Sequence, residues 1–184
     1  AIAGLRVGGI PALVRPPSKE YHHIARALDI GADGLVLPMV ASKEEAEYII
    51  DCMKYPPQGS RGVALAIAHD HYQPGDPAEV LAATNRRTAC VTLIETEEGI
   101  KNIDAIAAVK GVDCLWIGHF DLSCSLGING QFDHPEFLKA CRAVERAAKK
   151  HGKALGRLAG DPAGCIALYK KGYDVLCYAG DLWV

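Results

Sequence analysis

No stretch of this chain approaches the ~18 consecutive apolar residues of a membrane-spanning helix. Charge of either sign is scarce in excess: 20 Lys and Arg against 22 Asp and Glu leave −2 at pH 7, which argues against a nucleic-acid surface. The opening, AIAGLRVGGIPALVRPP, has no basic segment followed by a long apolar one, so no signal peptide is expected. Paired cysteine motifs are missing too. Cys52, Cys90, Cys114, Cys124, Cys141, Cys165 and Cys177 include no C-x-x-C, and Cys90, Cys114 and Cys177 sit inside apolar runs where a thiol behaves as a small hydrophobe. The expectation is a reducing, cytoplasmic setting without disulfides or a zinc knuckle. Nor does a G-x-G-x-x-G follow the first apolar run, which weakens a dinucleotide-binding reading.

What is present is an alternation of apolar runs and amphipathic segments. The pattern predicts strands near 10–15, 33–39, 90–95, 113–118, 154–159 and 174–179. Between them, Ser18 is expected to cap a helix with Tyr21, Ile24, Ala27 and Leu28 inward and Gly31 as its stop. Ser42-Lys43-Glu44-Glu45 has capping-box spacing before a helix that buries Ala46, Ile49, Ile50 and Met53. YPPQGSRG breaks that helix. Residues 62–76 read as a loop, and 77–83 as a helical turn or two. Ile100, Ile103 and Ile106 line the next helix. A Gly-rich loop follows Asp121, and a helix then runs from Pro135 to His151 with Phe137, Leu138, Cys141, Val144 and Ala148 inward and Gly152 as stop. Asp161-Pro162 opens the last helix, closed by Gly172.

Nearly continuous apolar strands alternating with helices mean a parallel α/β sheet covered by helices. An open doubly wound sheet and a (β/α)8 barrel both satisfy that description. Polar or special residues recur at strand exits: Arg15, Pro38, Glu95, Gly118 to Asp121, and Gly180-Asp181. A shared ring of strand ends is barrel logic, and six strands make a barrel short by two. One partial-barrel domain over 1–184 is the expectation.

The strongest chemical signal is Glu95 and Asp121, one acid at the exit of each of two successive strands. Ordinary helix capping explains either acid alone. Together on one face they make a hard, oxygen-rich pair suited to a divalent cation with open positions for substrate and water. Arg15 is either a solvated strand-end arginine or a fixed cation for a developing oxyanion. Asp29 stands in the last turn of its helix, against the helix dipole, and reads on pattern more as a solvated acid at small cost than as one compensated by a buried partner. His69-Asp70-His71 lies in an unpatterned polar stretch and is read as a solvated loop. His119 either contacts substrate or is a packing choice, and the backbone of Gly118 suits a tight strand exit that receives a carboxylate. No lysine closes a predicted strand, which argues against Schiff-base chemistry and for a metal-stabilised enolate.

The segments VRPP at 14–17, LDIGADGLVLPMV at 28–40, YPPQGSRGV at 55–63, IETEEGIKN at 94–102 and IGHFDLSCSLGINGQFDHPE at 117–136 are similar in order and spacing to the HpcH/HpaI aldolase (citrate lyase beta-like) family. The resemblance covers nearly the whole chain. It implies a TIM barrel of the phosphoenolpyruvate/pyruvate type, here with about six βα units and without the first two strands and last helix. It implies a class II aldolase using Mg2+, Mn2+ or Co2+. Such an enzyme cleaves a 4-hydroxy-2-oxo acid, such as 4-hydroxy-2-oxoheptanedioate or a 2-dehydro-3-deoxy sugar acid, to pyruvate or a related 2-oxo acid and an aldehyde. It also implies a homo-oligomer, a hexamer in the family, with small-molecule partners and neither nucleic acid nor membrane.

Carried over by residue, Glu95 and Asp121 resemble the metal ligands, and their separation of 121 − 95 = 26 residues is the family's spacing. Arg15 resembles the enolate-stabilising arginine, and Asp29 the acid that raises the basicity of the catalytic histidine. Gly118, His119, Phe120 and Asp121 occupy the substrate-binding stretch, where the amides of Phe120 and Asp121 receive the pyruvate carboxylate. Three features depart from the family. Its catalytic histidine stands in a D-x-E-H segment on the strand before the one ending in Arg15, so the base is expected outside this chain. Leu93 stands where glutamine is common. His119-Phe120 replaces Pro-Ala or Pro-Asn. Two other readings compete: an acyl-CoA lyase of the malyl- or citryl-CoA type, for which Arg86-Arg87 is a weak phosphate patch, and a non-catalytic fragment of a longer aldolase.

Overall fold

A computed structural model describes residues 1–178 and 180. The chain clusters into two compact units, Ala1–Pro38 with Glu44–Val91, and Met39–Lys43 with Thr92 onward.

In the first unit, α1 (Ile2–Val7) precedes β1 (Leu13–Val14), which is far shorter than the strand expected over 10–15. Neither Pro11 nor the Pro16-Pro17 pair has an amide hydrogen to donate, so the ladder is confined between them. β1 pairs in parallel with β2 (Gly34–Leu37), with Leu13 opposite Gly34. Asp33 fixes the register: its amide donates to Ala12 O at 2.8 Å and its carboxylate accepts from Ala12 N at 2.8 Å.

Between these strands runs α2 (Tyr21–Asp29), which buries Ile24, Ala25, Ala27 and Leu28. Ser18 does not cap it. Glu20 is the N-cap, and Ser18 Oγ accepts from Glu20 N and pairs with His23 Nδ1. Tyr21 is exposed and its hydroxyl accepts from Gly62 N.

The next helix, α3 (Lys43–Met53), buries Ala46, Ile49, Ile50 and Met53, as the pattern predicts. The stretch 62–76 holds one 3-10 turn, Ala68–Asp70, and then α4 (Pro77–Arg87) runs three turns rather than one or two. Asp76 caps α4 through Glu79 N, and Thr88 ends it.

β3 (Ala89–Ile94) carries the chain from the first unit into the second. There the expected single helix is two short ones, α5 (Glu97–Lys101) and α6 (Ile103–Ala107), broken where Asn102 spends its side chain on Ala41 O. β4 (Cys114–Ile117) follows, then α7 (His119–Ser125), which begins at the strand exit and runs past Asp121 to the start of the expected loop. α8 (Pro135–His151) ends on Gly152 in the left-handed region, as expected, although Leu138 is exposed and Ala140 and Ala147 are buried. β5 (Ala154–Ala159), α9 (Pro162–Lys170) and β6 (Val175–Tyr178) complete the series. Ala179 and Asp181 of the expected last strand and its exit lie outside the described residues.

The strands are hydrogen-bonded in chain order, β1-β2-β3-β4-β5-β6, and β4–β5 and β5–β6 pair in parallel. A doubly wound sheet reverses its strand order at a switch point, whereas barrel connectivity adds each strand beside the last. The observed order is the second kind. Among the described residues no helix is long and apolar enough to cross a membrane.

Candidate active site

Glu95 is the first residue after β3 and is only 2 % exposed. It does not cap the helix that follows. That role falls to Thr96, whose hydroxyl accepts from Gly99 N at 2.9 Å. The capping explanation for Glu95 therefore lapses, and a buried carboxylate needs another reason to be there.

Met39 and Gly118 both bear on its position. Met39 N donates to Glu95 Oε1 at 2.7 Å. On the other side, a Cβ built on Gly118 would lie 2.8 Å from Glu95 Cβ and would collide with Oε2. Gly118 is itself held by its amide on Ile94 O at 3.2 Å.

The Met39 donor comes from an unusual backbone. Its φ is +52°, a left-handed value that costs a non-glycine residue about 1–2 kcal/mol. The segment after it repays that strain. Val40 N donates to Leu93 O at 3.1 Å, and Asn102 Nδ2 donates to Ala41 O at 2.8 Å. Gly99 gives Val40 O its room, since a Cβ there would stand 2.9 Å from that oxygen.

Asp121, expected at the exit of the strand that ends at Gly118, lies in the first turn of α7, with Gly118 as N-cap. It is exposed. Ser123 fixes this turn from beneath: it is fully buried, donates to Phe120 O at 2.7 Å and accepts from Gly130 N at 2.9 Å. Ahead of Asp121, His119 lies 4.7 Å from the Phe120 ring and 5.0 Å from the Phe132 ring. Burial pushes the His119 imidazole below its ordinary pKa. The Arg157 charge adds to that shift and Asp121 opposes it, so the ring is neutral at pH 7. Phe120 is 60 % exposed, an apolar surface beside two polar groups. Leu93 is buried, and its side chain, unlike an amide, can neither donate nor accept a hydrogen bond.

These features suit a divalent cation. Glu95 is a dry carboxylate seated against Gly118, where a side chain would displace it, and Asp121, three residues after that glycine, is a wet one. Both are hard oxygen donors. Among the described residues no three His, Cys, Asp or Glu side chains gather as a closed cage, so a cation here would rest on two carboxylates with its other positions open.

The first unit holds the other two expected residues. Arg15 follows β1 directly, is exposed, and makes no hydrogen bond or ion pair with a described residue. Asp29 has a buried partner rather than water alone, against the reading that pattern favoured. Arg61, 1 % exposed, donates from Nη2 to Asp29 Oδ1 at 2.6 Å. The Arg61 guanidinium lies 4.4 Å from the centroid of the Tyr55 ring. Tyr55 OH in turn meets His69 Nε2 at 3.2 Å.

His69 and Asp70 are buried, which corrects the solvated-loop reading. The 3-10 turn folds them inward, and Asp70 Oδ2 accepts from Ala66 N. Arg61 is the residue that sequence reasoning missed. Its only signal was its place in YPPQGSRG, and a lone arginine in a loop ordinarily reads as solvated.

A family model described as HpcH/HpaI aldolase/citrate lyase matches residues 3–182. A 5-keto-4-deoxy-D-glucarate aldolase of Shigella boydii serotype 18 is 37 % identical over 172 residues, covering 94 % of this chain and 66 % of the relative. The chain thus spans just under two thirds of that relative's length. Among solved structures, an HpcH/HpaI aldolase from Desulfitobacterium hafniense DCB-2 superposes with a TM-score of 0.92 at 35 % identity, over 98 % of this chain and 70 % of the other. An HpcH/HpaI aldolase/citrate lyase family protein from Burkholderia cenocepacia J2315 gives 0.89 at 31 % identity, over 98 % and 72 %.

Proposed function

Because this chain belongs to the HpcH/HpaI aldolase/citrate lyase family, we propose that it serves a class II aldolase, a carbon–carbon lyase that cleaves a 4-hydroxy-2-oxo acid to pyruvate or a related 2-oxo acid and an aldehyde. The observation that carries this reading is the buried Glu95 carboxylate seated against Gly118, with Asp121 one strand exit further on. Relatives named 5-keto-4-deoxy-D-glucarate aldolase favour a sugar-acid substrate. By the same resemblance the working form is a homo-oligomer.

Glu95 and Asp121 would hold Mg2+, Mn2+ or Co2+, which supplies Lewis-acid polarisation of the substrate's 2-oxo group. The amides of Phe120 and Asp121 receive the substrate carboxylate, and the neutral His119 offers a hydrogen bond beside them. By the family resemblance, Asp29, which pairs with Arg61, has the role of supporting the histidine base that takes the 4-hydroxyl proton, a base expected outside this chain. As that proton leaves, the C3–C4 bond breaks, the aldehyde departs, and the electron pair passes to the 2-oxo group as an enolate. By the same resemblance, the role of neutralising the enolate oxygen until C3 is protonated falls to Arg15.

The experiment is a pyruvate-release assay with Mn2+ on the whole protein that carries this chain together with the segment supplying the catalytic histidine, comparing 5-keto-4-deoxy-D-glucarate with malyl-CoA and citryl-CoA. Pyruvate release from the sugar acid, abolished by EDTA and by Glu95→Ala, is expected. Thioester cleavage without pyruvate release from the sugar acid contradicts the reading.

A further inference from the structure

Three features of the second unit converge on one carboxylate: a strained backbone that donates to it, a glycine that a side chain would drive into it, and a set of contacts that hold the strain in place. The Met39 amide reaches Glu95 Oε1 at 2.7 Å, and it does so from a φ of +52°. Methionine has no side-chain reason to adopt that conformation. Strained backbone of this kind persists only where its surroundings over-determine it, and it concentrates at functional sites. Here the surroundings are the Val40 amide on Leu93 O and the Asn102 side chain on Ala41 O. Gly118 bounds the carboxylate on its far side, where any Cβ would overlap Glu95.

We propose that Met39, through its amide, and Gly118, through its missing side chain, are the positioning residues of the Glu95 carboxylate, committing Oε1 to the protein and setting the rotamer in which Glu95 meets a divalent cation. The proposal rests on Glu95 being a metal ligand. A carboxylate with one oxygen held by an amide has a single fixed orientation, and a cation bound by only two carboxylates depends heavily on such orientation. The strain at Met39 is then the means of aiming the donor. A relaxed residue with negative φ would turn the amide elsewhere.

The test measures Mn2+ affinity by electron paramagnetic resonance, with thermal melting of each variant as a fold control. Glu95→Ala establishes the reading beneath the proposal and is expected to abolish binding. Gly118→Ala, which pushes the carboxylate, and Met39→Pro, which removes the donor and forbids positive φ, are each expected to weaken Mn2+ binding by about 10–100-fold, the usual penalty for losing a group that orients a ligand. Met39→Gly keeps the amide and takes positive φ without strain. As the conservative variant it should bind Mn2+ far better than Met39→Pro and melt no lower than the parent.

Folded Gly118→Ala or Met39→Pro protein that binds Mn2+ as the parent does, while Glu95→Ala does not, overturns the proposal and spares the metal reading. If Met39→Pro does not fold, Gly118→Ala alone decides the matter. Unchanged affinity in Glu95→Ala overturns the metal reading and the proposal with it.

Discussion

Arg61 and Asp29 form an asymmetric ion pair: the cation is 1 % exposed and the carboxylate 34 %, at 2.6 Å. The asymmetry decides which half is costlier to lose. Arg61→Met leaves a carboxylate that water can partly solvate, so its cost should fall below the ~3–5 kcal/mol of a fully buried pair, at about 2 kcal/mol. Asp29→Asn leaves a buried guanidinium whose Nε and Nη1 already lack hydrogen-bond partners among the described residues. It should cost about 3 kcal/mol or more. Urea denaturation of both single variants and of the double variant checks the order. The double variant should lose less than the sum of the singles, because the two residues interact directly.

Gly156 gives a second prediction, in the sheet. Its Cα faces the Trp116 ring across the β4–β5 pair, and a Cβ there would lie 2.9 Å from Trp116 Cδ2. Backbone on one side and an indole on the other leave little room to adjust. Gly156→Ala should cost about 1–3 kcal/mol by overpacking and should shift Trp116 fluorescence. An unchanged melting midpoint contradicts it.

The cysteines make a prediction about pH and access. Cys124 is exposed, whereas Cys52, Cys90, Cys114 and Cys141 are buried. Thiol reagents on the native protein should therefore modify Cys124 ahead of those four. Burial, aided by Asp174 and Asp113, pushes the Cys114 thiol up to about 12. A thiol ionises near 8.5 once unfolded. The raised folded-state value means that the contribution of Cys114 is fully present below about 8.5 and is lost as the pH climbs toward 12. Urea midpoints taken from pH 8 to pH 11 should fall less steeply in Cys114→Val than in the parent.

Much of this was legible in the sequence because burial leaves a periodic trace. α8 shows the reason most clearly. Pro135 at its start, Gly152 at its end and an apolar face of Phe137, Cys141, Val144 and Ala148 all act within a few residues of one another. Glu95 and Asp121 were legible for a related reason, since each follows an apolar strand and stands out by its charge. The unforeseen features depend on distant partners. β1 shrank because prolines flank it on both sides. α7 was not foreseen at the strand exit, although its own seven residues contain neither glycine nor proline. Met39 could not be foreseen as a donor, since positive φ there comes from the hydrogen bonds of Val40 and Ala41 rather than from methionine. Arg61 read as a loop cation until the fold set it on Tyr55 and Asp29.

The central claim is that Glu95 and Asp121 hold a divalent cation to which the 2-oxo acid also binds. Isothermal titration of pyruvate into the protein, with and without Mn2+, tests it most directly. The account predicts pyruvate binding that appears only with Mn2+ present and disappears in both Glu95→Ala and Asp121→Ala. Pyruvate that binds equally well without the metal, or that still binds with Mn2+ in both variants, would contradict it.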